Sequence, residues 1–152
     1  MRLTGFSDYT IRTLIYLALR PGTLCTIDEI ACAYGISVNH LTKVVHQAAQ
    51  AGVVQTVRGQ GGGLRLARPP EAITIGAVLR HTEPDWDIVP CFARDDACPI
   101  QPACVLQGTL DKALAAFLAV LDGVTLADLI RPMHRLSDLL RIEQATRERV
   151  TR

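Results

Sequence analysis

Cys91, Cys98 and Cys104 lie in the stretch CFARDDACPIQPAC and account for three of the five cysteines in a chain of 152 residues. Their spacing, C-x6-C-x5-C, differs from the paired C-x2-C of most zinc ribbons. A loop of that width, held open by Pro99 and Pro102, can wrap something larger than one ion. Three thiolates suffice for three irons of a cubane iron–sulfur cluster and leave the fourth iron to another ligand. The spacing also admits a zinc ion or unligated redox-active thiols. An odd number of cysteines cannot close into internal disulfides, and clustered thiols in a reducing compartment serve more often as ligands or redox groups than as bridges. Cys25 and Cys32, outside the loop, read as small buried hydrophobes.

Such a loop needs a scaffold, and the composition provides for one. Half the residues are hydrophobic (49%), enough for the core of a single domain or of a small domain with an extension. The apolar run Leu14 to Leu19 is short, Asp8 and Arg12 precede it, and no small-residue cleavage site follows, so the opening segment does not read as a signal peptide. No stretch approaches the roughly 18 apolar residues of a membrane span. A cytoplasmic protein with no membrane partner is expected. Net charge is only +1, but the first 70 residues carry a basic excess and the remainder an acidic one. A basic N-terminal half suits a module facing nucleic acid.

The pattern of the first half sharpens that expectation. Asp8 to Leu19 predicts a helix capped by Ser7 and stopped by Pro21-Gly22, apolar on most faces. Thr26 and Glu29 form a capping box for a second helix, Gly35 supplies a turn that needs positive φ, and Ser37 caps a third helix from Val38 to about Ala51. Small Ala31 at the crossing, with Ile36 and Leu41 in the corner, makes this a helix-turn-helix whose third helix reads DNA. An ordinary helical hairpin is the plainer alternative. Two β-type runs follow, Val53 to Arg58 and Leu64 to Ala67, joined by GQGGG, which is where a winged helix carries its wing. A nucleotide-binding glycine loop would need a helix after the glycines, and a strand follows instead. Ser37, Asn39, His40, Thr42 and Lys43 at the start of the reader, with Arg58 and Arg65 on the wing, are the expected DNA contacts. Asn39 or His40 suits base edges, and the cationic side chains suit phosphates. No role is expected for His46, His81 or His134.

Further along, Thr74 caps a short helix from Ile75 to about Thr82. After the cysteine loop, Leu106, Leu110, Ala113, Leu114, Phe117, Leu118 and Leu121 recur at helical spacing. A stripe this strong predicts a dimerisation helix, with a core helix of the same subunit as the alternative. Thr125 caps one more short helix through Ile130, some helical pattern follows from Leu136, and the tail ATRERVTR is expected to fray. The expected architecture is mainly α with a small β-hairpin, a winged helix-turn-helix plus a long dimerisation helix. Paired catalytic carboxylates, a nucleophile–base motif and a substrate-pocket signature are all missing, which argues against an enzyme.

Taken in order, MRLTGFSDYTIRTLIYLAL, ISVNHLTKVVHQ, VRGQGGGLRLARP and the cysteine loop before a long helix resemble the winged-helix iron–sulfur regulator family over nearly the whole chain. Within it, FSDY, NHLTKVV and the cysteine spacing look most like the nitric-oxide-sensing repressors. The cluster-biogenesis regulators carry a ligating histidine three residues beyond the last cysteine, where this chain has Gln107. The resemblance implies a homodimer that binds double-stranded operator DNA and a [4Fe-4S] cluster on Cys91, Cys98 and Cys104. Asp8 would be the fourth ligand, given from one subunit to the other's cluster, with Tyr9 and Arg12 tuning the site. A [2Fe-2S] centre is the alternative, and without the resemblance Asp8 reads as a first-turn acid on a helix dipole. Implied boundaries are residues 1–70 for the winged domain, 71–104 for the short helix and cluster loop, and 105–145 for the dimerisation and C-terminal helices. Nitric oxide is the implied signal. Rival readings are a cluster-supply or redox-sensing regulator, a redox protein, and a zinc-stabilised structural protein.

Overall fold

The computed structural model describes residues 2–93 and 98–142. The chain runs α1 (Gly5–Ala18), α2 (Ile27–Tyr34), α3 (Val38–Gln50), β1 (Val54–Val57), β2 (Gly63–Leu66), α4 (Ile75–Thr82), α5 (Pro90–Ala93), α6 (Val105–Asp122), α7 (Leu126–Leu129) and α8 (Met133–Leu139). Mainly α with one antiparallel hairpin, it is a winged helix-turn-helix carrying a long helix. The expected fraying of ATRERVTR, and the last residues of the 105–145 region, lie outside the described residues.

α1 is the centre of the fold and contacts α2, α3, α4, α7 and β2. Leu14, Leu17, Ile30, Leu41, Val45, Leu64 and Leu126 meet around it in one core. Two of its buried polar side chains are satisfied locally: Thr10 Oγ1 donates to the Phe6 carbonyl at 2.9 Å and Thr13 Oγ1 to that of Tyr9 at 2.8 Å. The helix begins three residues before the expected start. Thr4, not Ser7, is the N-cap, because Thr4 has extended backbone angles and its hydroxyl accepts the Ser7 N–H at 3.2 Å. Ser7 lies wholly inside the first turn and bonds across to Thr82 Oγ1 at 2.7 Å.

The helix-turn-helix forms as its residues require. The Thr26–Glu29 capping box is made in both directions, and Gly35 takes φ 63° at the turn. Ser37 occupies the N-cap position of α3 without making a side-chain cap bond, which leaves its hydroxyl exposed. β1 and β2 pair in the register Val54↔Leu66 to Val57↔Gly63, and Cys25 adds an isolated bridge to Leu64 that anchors the wing to the α1–α2 connection. Cys25 is fully buried, as expected. Cys32 is exposed, contrary to expectation, because α2 turns Ile30 and Ala31 inward and the next residue outward.

α6 is unusual among the long helices in burying none of its residues. One side leans on α4, with Phe117 6.4 Å from the Trp86 ring, and Arg80 of α4 forms a two-pronged ion pair with Asp122. Val105, Leu106 and Val120 are 82%, 62% and 69% exposed, whereas Leu110, Leu114, Phe117, Leu118 and Leu121 of the expected stripe are half-buried. None of the described helices is long and apolar enough to cross a membrane.

Candidate DNA-reading surface and cysteine loop

The candidate residues form two groups, one on α3 and the wing and the other made of Asp8 with its neighbours and the loop cysteines. Ser37, Asn39, His40, Thr42 and Lys43 are all exposed on the first turns of α3, while Leu41, Val44, Val45 and Ala48 face inward. Apart from Val38, which is 41% exposed, the outer face is therefore polar, as a helix that enters a major groove requires. Thr42 Oγ1 donates to the Val38 carbonyl at 2.9 Å, so its hydroxyl is left to act as an acceptor. Arg58 is exposed where β1 ends. Arg65 stands opposite Gln55 and donates from Nε to Gln55 Oε1 at 2.9 Å. Sequence reading missed Gln55, although the hairpin register would have paired it with Arg65.

Asp8 sits in the first turn of α1, with Arg12 one turn on and paired to it at 2.9 Å. The Arg12 guanidinium also stands over the Tyr34 ring, 5.7 Å from its centroid, at the last residue of α2. Burial pushes the Tyr34 hydroxyl up to about 12, and nearby Arg12 opposes that shift in part. Tyr9 lies against His40 of α3, ring centroids 6.1 Å apart. The neighbours of Asp8 thus touch both helices of the helix-turn-helix. Tyr34 was not foreseen, since an aromatic at a helix end reads as packing.

The three loop cysteines are free and partly exposed. Cys91 is in α5, and Cys104 is the N-cap of α6, where unpaired helix N–H groups favour negative charge. Gln101 links the other two through its backbone: its N–H donates to the Cys98 carbonyl and its own carbonyl accepts from the Cys104 N–H, both at 3.1 Å. Its side-chain Oε1 is buried without a hydrogen-bond partner, an orphan inside the loop among the described residues. Three unpaired, reachable thiols are the donor set that a soft-metal or iron–sulfur site needs. Among the described residues no three His, Cys, Asp or Glu side chains converge as a metal cage, so the loop presents the thiols in order without gathering them. Cys25 is different in kind. Burial pushes its thiol up, with Arg20 partly opposing, which keeps it protonated and unreactive.

A polar reader helix after a glycine turn, a wing with arginines and a long helix leaning on α4 define a winged helix-turn-helix transcriptional regulator. The chain belongs to the Rrf2 family, described as iron-dependent transcriptional regulators, whose pattern matches residues 3–132. It is 49% identical over 146 residues to the HTH-type transcriptional regulator NsrR of Bacillus subtilis (strain 168), covering 95% of this chain and 100% of that one. The protein of the same name from Bacillus licheniformis is 45% identical over 142 residues, covering 92% and 99%. Among solved structures, T. potens IscR superposes with a TM-score of 0.69 at 26% identity, over 96% of this chain and 93% of that one. Oxidised Staphylococcus aureus CymR gives 0.69 at 25% identity, over 86% and 97%. The family is one of DNA-binding regulators and not of enzymes.

Proposed function

We propose that this chain is a nitric-oxide-responsive repressor acting as a homodimer, with an iron–sulfur cluster held by Cys91, Cys98, Cys104 and the partner subunit's Asp8. The three thiols together with one carboxylate suit a [4Fe-4S] cluster, with [2Fe-2S] as the alternative. When bound, the cluster would supply iron that nitric oxide binds strongly, most readily where a hard carboxylate is the weakest ligand. The chain's own residues do the rest. Val105, Leu106 and Val120, exposed on α6, are what a second copy would cover. Asp8 has one alternative partner on its own helix, Arg12, at 2.9 Å.

One observation carries the reading. Tyr9 and Arg12, which flank Asp8 on α1, touch His40 of the reader helix and Tyr34 at the end of α2. A shift of α1 driven through Asp8 therefore reaches both halves of the helix-turn-helix. In a dimer the two reader helices must match successive major grooves, about 34 Å apart, so a small tilt is costly. A 100-fold loss of operator affinity requires only about 2.7 kcal/mol of coupling.

The test is an anaerobic gel-shift on a promoter for nitric-oxide detoxification, titrating cluster-loaded protein with nitric oxide while its absorbance is recorded. Release of DNA in step with bleaching of the cluster is expected. Binding that outlasts the cluster would disconnect the loop from the reader. Release by oxygen or by cluster loss alone, with no special potency of nitric oxide, would move the signal to cluster supply or redox state.

A further inference from the structure

At the start of α1 the structure holds a polar clamp that the sequence does not announce. Glu83 follows the last residue of α4, and its Oε1 accepts the Thr4 backbone N–H at 2.9 Å and the Thr4 hydroxyl at 3.2 Å. Thr4 in turn accepts the Ser7 N–H, and its carbonyl takes the Asp8 N–H at 3.2 Å. Alongside, the Thr82 hydroxyl donates to the Val78 carbonyl at 3.0 Å, so the buried 2.7 Å bond between Ser7 and Thr82 has Ser7 as donor. An unbroken run of hydrogen bonds thus leads from the end of α4 to the Asp8 amide.

The placement of Glu83 is informative. A carboxylate at the C-terminal end of its own helix is electrostatically unfavourable, whereas at the N-terminal end of another it is favourable. Glu83 stands at both, and its hydrogen bonds go to α1. Solvation would satisfy the carboxylate equally well without holding Thr4, so the side chain's contribution is to fix where α1 begins. Asp8 is one turn inside that start.

We propose that Glu83 is a positioning residue for Asp8: by pinning the N-cap Thr4, it sets the rotation of the first turn of α1 and thereby the direction in which the Asp8 carboxylate is presented. This rests on Asp8 being a cluster ligand. It adds a consequence for the dimer, because Glu83 also begins the segment that leads to Cys91. In one subunit the clamp joins the helix that serves the partner's cluster to the chain that serves its own.

The experiment uses the full-length cluster-loaded dimer under anaerobic conditions and follows replacement of the non-cysteine ligand by added 2-mercaptoethanol, read from the cluster's absorbance and circular dichroism. Wild type, Glu83→Ala, Glu83→Gln, Asp8→Ala and the Glu83→Ala/Asp8→Ala double variant are compared, with a thermal melt for each. Glu83→Ala is expected to speed replacement about tenfold, in keeping with the loss of a charged hydrogen bond. Glu83→Gln, which keeps an acceptor, should return to within about twofold of wild type. In the Asp8→Ala background the second change should add nothing. A wild-type rate for Glu83→Ala, or effects that simply add in the double variant, would overturn the proposal. If Asp8→Ala itself has the wild-type spectrum and rate, the ligand assignment fails and the proposal fails with it, a result distinct from a silent Glu83. Should Glu83→Ala lose its cooperative melt, Glu83→Asp, which keeps the charge and leaves the Thr4 cap of α1 intact but withdraws the carboxylate from Thr4 by one methylene, carries the same comparison.

Discussion

Arg12 Nε lies 2.9 Å from one carboxylate oxygen of Asp8 and 3.0 Å from the other, while its guanidinium faces the ring of Tyr34. Arg12 and Asp8 are 43% and 46% exposed, so salt screens the pair and its strength is modest. Arg12→Gln removes both the ion pair and the ring contact, together about 1 kcal/mol. In a chain of this size the melting temperature should fall by about 2–4 °C. High salt should bring wild type part of the way to the variant, since only the ion pair is screened. A variant that melts with wild type at low salt would show that Arg12 is free in solution.

The reader and wing make separable predictions. Lys43→Ala should weaken binding to all DNA sequences alike and reduce the slope of log affinity against log salt by about 0.9, the signature of one lost phosphate contact. Asn39→Ala should leave that slope intact and cost about 1–3 kcal/mol at one base pair only. Gln55→Ala should resemble a mild Arg65 variant, because Gln55 orients the Arg65 guanidinium across the hairpin. Fluorescence anisotropy between about 50 and 200 mM salt, on operator and scrambled DNA, separates the three.

Elements with local signals were legible in the sequence. The Thr26–Glu29 box, the Gly35 turn, the GQGGG hairpin and the Thr74 cap each act within a few residues, and each forms as read. Ser7 was misread because it and Thr4 are both capping types, and only the backbone angles at Thr4 decide between them. Cys32 was misread because one helical step separates an inward from an outward position on a short helix. Contacts between distant segments had no local signal at all: Glu83 to Thr4, Arg12 to Tyr34 and Tyr9 to His40 depend on how α1 packs. The cysteine loop could be seen as a donor set, but spacing carries no information on how the thiols converge.

Cys25 and Cys32 should differ sharply toward a thiol-alkylating reagent. Cys32 is exposed, whereas Cys25 is buried beneath the wing and held protonated. Iodoacetamide labelling of the native cluster-free protein, mapped by peptide mass spectrometry, should modify Cys25 at least about 100-fold more slowly than Cys32, since access to it requires opening of the core. Equal labelling would mean that the Cys25–Leu64 bridge opens readily and the wing is not anchored there.

Gly76 permits α4 and α6 to touch. A Cβ at that position would lie 2.9 Å from the Asp122 backbone nitrogen and would also strike the Asp122 carboxylate that Arg80 holds. Relief requires the end of α6 to move, because backbone cannot rotate away as a flexible side chain can. Gly76→Ala should destabilise by about 1–3 kcal/mol despite the better helix propensity of alanine, as overpacking does. Chemical denaturation, with Arg80→Ala for comparison, measures it. A stabilised Gly76→Ala would show that α6 already stands off α4.

Tyr34 gives a pH dependence whose sign is fixed by its surroundings. Burial is the main influence on its hydroxyl and raises its pKa from an ordinary 10.0 to about 12, Arg12 only partly opposing. The folded chain therefore keeps this proton at pH values where the unfolded chain has lost it. Between pH 10 and about 12 the unfolded state binds fewer protons, and stability falls as pH rises. The contribution is complete below pH 10 and gone above about 12. Tyr34→Phe keeps the ring beneath Arg12 but has nothing to ionise, so its melting temperature should decline less steeply across that interval. Melts at closely spaced alkaline pH values, with absorbance at the tyrosinate band on the folded protein, test the point. Parallel declines for wild type and Tyr34→Phe would place the Tyr34 hydroxyl in water, and with it would go the ring contact through which Arg12 reaches the end of α2.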